Sequence, residues 1–401
     1  MRFRSVLVLT FCIPASAAMA QTSVISRDDA IRMALNRGAL LGVASADTAI
    51  AGAALIAARA LPNPSLTASY SRDAPHYHVN LNIPLDFPRL RNLRIESSRA
   101  GLHAAQLRYE FSRAMIAMAA DTAYTRAAAA RDRLALSRRN AIDADSLLHM
   151  AERRRDAGDA SDMDVELARV NAGQQANVAA GDSLTMITAM LDLQSVLGVA
   201  ADSLEEYPGD SLTVVPPPVA PVGRSLDEIA AGFAVDAATL NARLQHRSVW
   251  SQFSVSLGVD ELDPVQRGPL PTVGIGMALP LFDRNRGAIA QAEAERARAR
   301  ADLALTSLES RNSLAHATRE RENAVSKASR DIGLLASANR VAEMALTGYR
   351  EGALPLPSVL EAQRTARDVL GQYIDDLAAA WVATAELRVF AIVPTSSAQL
   401  P

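Results

Sequence analysis

The side chains able to do chemistry are few. His76 and His78 are the only histidines at close spacing among six, and they flank Tyr77. Two imidazoles could offer themselves to a metal ion, but two ligands on one strand do not close a site, and the plainer reading is ordinary loop residues. One cysteine, Cys12, excludes both a disulfide framework and a Cys-rich metal centre. Ser and Asp are plentiful, yet there is no Gly-x-Ser-x-Gly elbow, no phosphate-cradling loop and no His-Glu-x-x-His helix. The chain therefore reads as a non-enzyme that needs no cofactor and holds no metal.

Composition narrows the classes further. Lys plus Arg number 41 against 44 Asp plus Glu, so the chain lacks the one-signed field that nucleic acid demands. Hydrophobic residues at 49% of 401 positions suffice for a large fold. Residues 1–20 combine two arginines, an apolar stretch from Ser5 to Pro14, and Ala18-Met19-Ala20, which predicts a signal peptide cleaved before Gln21. Phe11 beside Cys12 fits a lipoprotein signal badly, so no lipid anchor is expected. Beyond it no unbroken run of 18 apolar residues occurs, and membrane residence would have to come from a β-barrel.

The elements that position the polar residues are long helices. Leu102 to Ala157 contains neither Gly nor Pro, and Leu107, Phe111, Met115 and Met118 recur at helical spacing. A helix from Arg89 to Asp156 would be about 100 Å long, too long for a single globular core, so its Ala-rich stripe must lie along other helices. The design then repeats. Ile83-Pro84-Leu85 corresponds to Leu279-Pro280-Leu281, Gly158 and Val165 to Gly352 and Val359, and Leu193 to Leu387. Both halves open on a Ser-x-x-acid cap, at Ser26 and at Ser225. The organisation expected is residues 21–207 as one helix-hairpin-helix unit, 208–224 as a Pro-rich extended connector, 225–395 as a second unit and 396–401 as a tail.

Each unit also holds a stretch of period two. Leu66, Ala68 and Tyr70, then Val79, Leu81 and Ile83, alternate with Thr, Ser and Asn; Phe253, Val255 and Leu257, then Val273, Ile275, Met277 and Leu279, alternate with Ser, Gly and Ala. A soluble half-buried sheet would show the same alternation. Here no helix has a spare apolar face to cover it, and apolar outside with polar inside is the pattern of a transmembrane barrel. Four strands cannot close one, and open edges in lipid leave backbone groups unpaired. Three copies would supply twelve strands. The fold class is thus mainly α with a small β part: a tandem-repeat coiled-coil barrel with four transmembrane strands per chain, completed as a homotrimer in the outer membrane.

The run Leu279-Pro280-Leu281-Phe282-Asp283-Arg284-Asn285-Arg286-Gly287, the Ala-rich stretch from Ile289 to Arg300, and Tyr349-Arg350-Glu351-Gly352 with Ser358-Val359-Leu360-Glu361-Ala362 resemble TolC-type outer-membrane efflux proteins. Gly158 to Arg169 is similar to the same family's first periplasmic helix-turn-helix. The Pro-Leu-Phe-Asp-Arg junction is most similar to members of heavy-metal efflux systems. The resemblance implies a passive trimeric tunnel that docks on a periplasmic adaptor (membrane fusion) protein and an inner-membrane resistance-nodulation-division pump. Two departures stand out. Ser225 to Phe253 spans 28 residues where Ser26 to Ser65 spans 39, so the helix before the second hairpin is shorter by about three turns. The segment from Val259 to Pro271 reads as a long solvent-exposed loop containing Asp260 and Glu261.

Gly158 and Gly352 stand where a left-handed residue must end a helix, and Arg153, Arg154, Arg155 and Asp156 crowd the first tip. The cations suit a helix C-terminus whether or not they bind anything. By resemblance these tips meet the adaptor and form the periplasmic gate. Tyr349 and Asp164 match the family's locking network, Glu361 keeps an acid where an Asp is usual, Ser358 replaces a second acid and Leu354 replaces an arginine. With that arginine absent, closure by packing of Leu354 and Leu356 is the alternative, and a ring of three Glu361 carboxylates would favour cations in the throat. Two other functions stay open at this stage: a tunnel for type I protein secretion, and a periplasmic coiled-coil scaffold outside the membrane.

Overall fold

The computed structural model describes residues 23–37, 39–199, 206–210, 212, 216, 217, 220, 224–250, 253–261 and 268–392. The expected cleavage site, Cys12, Pro218, Pro221 and the tail from 396 lie outside them. In chain order the elements are β1 (Ser23–Ile25), α1 (Arg27–Arg37), α2 (Ala39–Arg59), β2 (Ser65–Tyr70), β3 (Tyr77–Pro84), α3 (Pro88–Asp156), α4 (Asp162–Leu197), β4 (Glu206–Pro208), α5 (Leu226–Arg247) with a 3-10 turn at Ser248–Trp250, β5 (Phe253–Glu261), β6 (Leu270–Met277), α6 (Arg286–Arg350) and α7 (Leu356–Val389).

Local chemistry accounts for the helix starts. Ser26 accepts the Asp29 N–H at 3.2 Å and donates to its carboxylate at 2.6 Å, and Ser225 accepts the Glu228 N–H at 3.2 Å. Pro88 begins α3, where its missing N–H costs nothing. The shortened second half is real: α5 has 22 residues, against 11 and 21 in α1 and α2.

At 69 and 65 residues, α3 and α6 are rods of about 100 Å. Their buried positions are mostly alanine, including Ala104, Ala120, Ala127, Ala144 and Ala151 on α3 and Ala292, Ala317, Ala324 and Ala328 on α6. Small side chains let α4, α5 and α7 lie close along these rods, so the core is a set of thin seams instead of one central mass. One seam joins Tyr124, Met190, Leu193 and Leu197; another, at the far end, joins Leu147, Val165, Tyr349, Leu356 and Val359.

Halfway along the rods the connectors tie the bundle together. Asp121 on α3 is nearly sealed from solvent, at 3% side-chain exposure, and accepts from both Arg27 of α1 and Arg388 of α7, the latter at 2.8 Å. The Arg27 guanidinium lies 4.0 Å over the Trp381 ring. The first residue of the expected connector, Pro208, lies in β4, which pairs in parallel with β1. The Tyr124 hydroxyl, 3.1 Å from the Ile25 carbonyl and 3.0 Å from the Asp210 carboxylate, pins this pair to α3.

α2 qualifies the expectation about membrane helices. Leu41–Arg59 has mean hydropathy 1.6, enough by length and composition to cross a membrane, and only 11% of it is buried. It leads through a short turn into β2, so its exposed Val43, Ile50 and Ile56 lie at the helical end of the hairpin.

Candidate functional site

The four strands form one antiparallel sheet in the order β2-β3-β5-β6. The two hairpins, far apart in sequence, are joined by β3 and β5, with Leu81 opposite Leu257 and Ile83 opposite Val255. Register sorts the side chains cleanly. Leu66, Leu81, Leu257 and Val273 stand in one row on one face, and Thr67, Asn80, Gly258 and Thr272 in a row on the other. No helix covers the apolar face: Leu66, Val273 and Ile275 are 70%, 77% and 80% exposed. The polar face is built from small residues that fit against one another. A Cβ on Gly274 would lie 2.5 Å from Ser256 Oγ, and one on Gly276 2.7 Å from Ser254 Oγ. Both edges, β2 and β6, are open within the chain.

At the hairpin end the structure corrects the long exposed loop. Asp260 and Glu261 belong to β5, opposite His78 and Tyr77. Asp260 is mostly screened, and its carboxylate lies 2.8 Å from His78 Nδ1, while His78 Nε2 lies 3.2 Å from Ser71 Oγ. The Ser–His–Asp order resembles a nucleophile relay, but its hydrogen bonding does not. The single proton of Ser71 Oγ has two carbonyl acceptors nearer than the imidazole, those of Asp73 at 2.6 Å and Pro75 at 2.9 Å. His76 Nδ1 sits 3.1 Å from the Ser71 carbonyl and its ring stacks on Tyr70. Both histidines of the sequence motif are thus spent on holding the hairpin turn.

At the opposite end, Gly158 and Gly352 close α3 and α6 with φ of +84° and +75°. Asp164, expected in the locking network of the tips, completes a capping box inside its own helix: Ser161 accepts the Asp164 N–H at 3.2 Å, and the Asp164 carboxylate accepts the Ser161 N–H at 3.2 Å. Of the clustered arginines it is Arg154, not Arg153, that turns inward. Arg154 lies 4.7 Å over the Tyr349 ring and donates to the Tyr349 carbonyl, while Arg153 stays on the surface. Tyr349 is 3% exposed, and its hydroxyl lies outside ordinary hydrogen-bond geometry with every described residue, the Arg154 guanidinium being the donor that bears on it. Burial pushes the phenol above its ordinary range, the Arg154 charge opposes that, and the Asp164 carboxylate adds to it.

Leu354 folds back over Gly348, whose absent side chain makes the room: a Cβ there would lie 2.8 Å from Leu354 Cδ1. The Leu354 N–H bonds the Gly348 carbonyl at 3.1 Å. Glu361 stands exposed on α7 and makes no side-chain ion pair among the described residues. The tip therefore brings together Tyr349, Asp164, Gly352 and Arg154 and leaves Arg153 and Glu361 outside. Gly348 carries no sequence signal, and which of the clustered arginines turns inward depends on helix packing that spacing alone does not fix.

Comparison with known proteins agrees with this geometry. The model of the outer membrane efflux protein family matches residues 30–199 and 229–391. The cobalt-zinc-cadmium resistance protein CzcC of Cupriavidus metallidurans is 25% identical over 325 residues, covering 78% of this chain and 76% of that one. Among solved structures, a membrane protein from Pseudomonas aeruginosa superimposes with a TM-score of 0.75 at 20% identity, covering 91% and 92% of the two chains. The CmeC outer membrane channel of Campylobacter jejuni gives 0.77 at 14% identity, covering 91% and 85%, and CusC gives 0.74 at 18%, covering 91% of each. With four edge-open strands at one end and 100 Å helical rods behind them, the chain belongs to the outer membrane efflux protein family.

Proposed function

We propose that three copies of this chain join edge to edge into a twelve-stranded barrel, and that the conduit so formed docks on a periplasmic adaptor and an inner-membrane resistance-nodulation-division pump to export heavy-metal cations. The observation that carries this is the sheet with one exposed apolar face, one small polar face and two unpaired edges. In lipid each unpaired edge group costs several kcal/mol, and only neighbouring copies of the same sheet can satisfy them in the right register. The apolar, little-buried α2 supports the same conclusion, because a neighbouring subunit would cover it at the helical end of the barrel. The chain does no chemistry of its own; the pump supplies energy.

The cargo class rests on the likeness to CzcC, whose name assigns it cobalt, zinc and cadmium resistance. At the periplasmic entrance, Gly158 and Gly352 would shape the tips that meet the adaptor, and Arg153 would present a cation to it. Leu354 seated on Gly348, Tyr349 beneath Arg154, and Asp164 capping its own helix favour an entrance closed by packing. Glu361 would face ions passing the throat. The test is to extract the protein from outer membranes, compare unheated and heated samples on a gel, and record conductance in a planar bilayer. A heat-dissociable trimer with stepwise conductance is expected. Deleting the gene should then lower zinc, cobalt and cadmium tolerance while leaving secreted protein unchanged; the opposite pattern would move the conduit to protein secretion.

A further inference from the structure

The helical barrel carries a group of side chains that the conduit role does not use. His316 and Glu320 lie one turn apart on α6, and Glu386 projects from α7 beside them, with one candidate donor atom from each residue all within 4.8 Å of one another. His316 Nδ1 and the Glu320 carboxylate are 3.3 Å apart. Two ligands bound to one tetrahedral ion at about 2.1 Å are separated by about 3.4 Å, so this pair already stands at bite distance, and a rotation of the flexible Glu386 side chain closes the third position. Glu386 has neither a hydrogen bond nor an ion pair among the described residues, although it is partly buried. His316 and Glu386 open on a cleft of about 660 Å³ whose wall is mostly apolar, with Phe111, Met115 and Met118, and which carries Glu309 and Asp227 as further acids.

We propose that His316, Glu320 and Glu386 form a three-ligand site for a borderline divalent cation of the zinc and cobalt class. One imidazole and two carboxylates suit such ions and not a soft monovalent one, and three protein ligands leave a coordination position for water. Within the single chain His316 is 76% and Glu320 48% exposed, so solvent can reach the open coordination position. The biological meaning rests on the metal-cation reading of the cargo, but the binding itself does not.

The test is titration of the purified, tag-free trimer in detergent with Zn²⁺ by calorimetry and with Co²⁺ by visible absorption, before any transport assay. One ion per chain is expected, with nitrogen-containing ligation in the Co²⁺ spectrum. His316→Ala and Glu386→Gln should each weaken binding about tenfold or more, while the trimer still resists unheated electrophoresis. His149→Ala is the control: that histidine lies 3.5 Å from Asp145 and 3.3 Å from Glu152 on the exposed face of α3, and its loss should change nothing. Unchanged Zn²⁺ affinity in both site variants, or loss of binding in the His149 variant instead, overturns the site. Intact binding with no effect of gene deletion on metal tolerance would leave the site standing and sink the cargo assignment.

Discussion

At the scale of the residue, the reversal between α6 and α7 is packed, with Leu354 over Gly348 and Arg154 over the Tyr349 ring. Tyr349 buries its hydroxyl with no partner in ordinary hydrogen-bond geometry, only the Arg154 guanidinium bearing on it, so Tyr349→Phe gives up a weak contact and removes a desolvation cost of about 1–3 kcal/mol. Thermal stability should rise, and bilayer conductance should stay at the wild-type level; a marked increase in open probability would show the hydroxyl to be a lock. A second residue-scale prediction concerns pH. Asp331 on α6 has its carboxyl pushed up, by burial first and then by sharing a hydrogen bond with the Asp376 carboxyl, against Arg330 and Lys327. A carboxyl whose folded value lies above the unfolded value binds more protons when folded, so this group's contribution to stability falls as pH rises through that window. Asp331→Asn should therefore stabilise the protein at neutral pH, and the gain should vanish as pH falls below the ordinary aspartate range. Melting curves of wild type and variant at pH 7.5 and pH 4 check it; a gain that grows in acid contradicts the assignment.

Element by element, the sequence disclosed what depends on local rules and hid what depends on distant partners. The caps at Ser26 and Ser225, the reversals at Gly158 and Gly352, and the period-two strands all follow from residues within a few positions, and all appear in the structure. The β1–β4 pair did not show, because three-residue strands carry no periodicity and their partner lies about 180 residues away. Asp260 was read as loop because its strand partner, His78, belongs to the other half of the chain. His316 and Glu386 are 70 positions apart, so only helix packing reveals them as neighbours. The helix reversals offer a direct check. At φ +75°, Gly352→Ala should cost about 1–2 kcal/mol through backbone strain, whereas Gly352→Asn, which tolerates the left-handed region, should cost less. Denaturation midpoints would rank glycine above asparagine above alanine; equal midpoints would mean the tip relaxes into another turn.

On the scale of the whole molecule, the chain is an unfinished wall. Its rods pack through alanine seams yet leave Leu305, Ile332 and Met344 of α6 exposed, and its sheet leaves apolar rows bare and both edges without a partner among the described residues, so the proposed conduit is a property of the assembly. The most direct measurement places single reporter cysteines at Thr272, Val273 and Ile275 of β6 and at Ser256 of β5, which pairs with Gly274 on the polar face, in protein reconstituted into vesicles. Accessibility should sort by face, with Val273 and Ile275 quenched by lipid-borne probes and Thr272 and Ser256 reached by water-soluble ones. If all four positions respond alike, or if Val273 and Ile275 prove shielded by the chain's own helices, the account of this sheet as a lipid-facing stave is wrong.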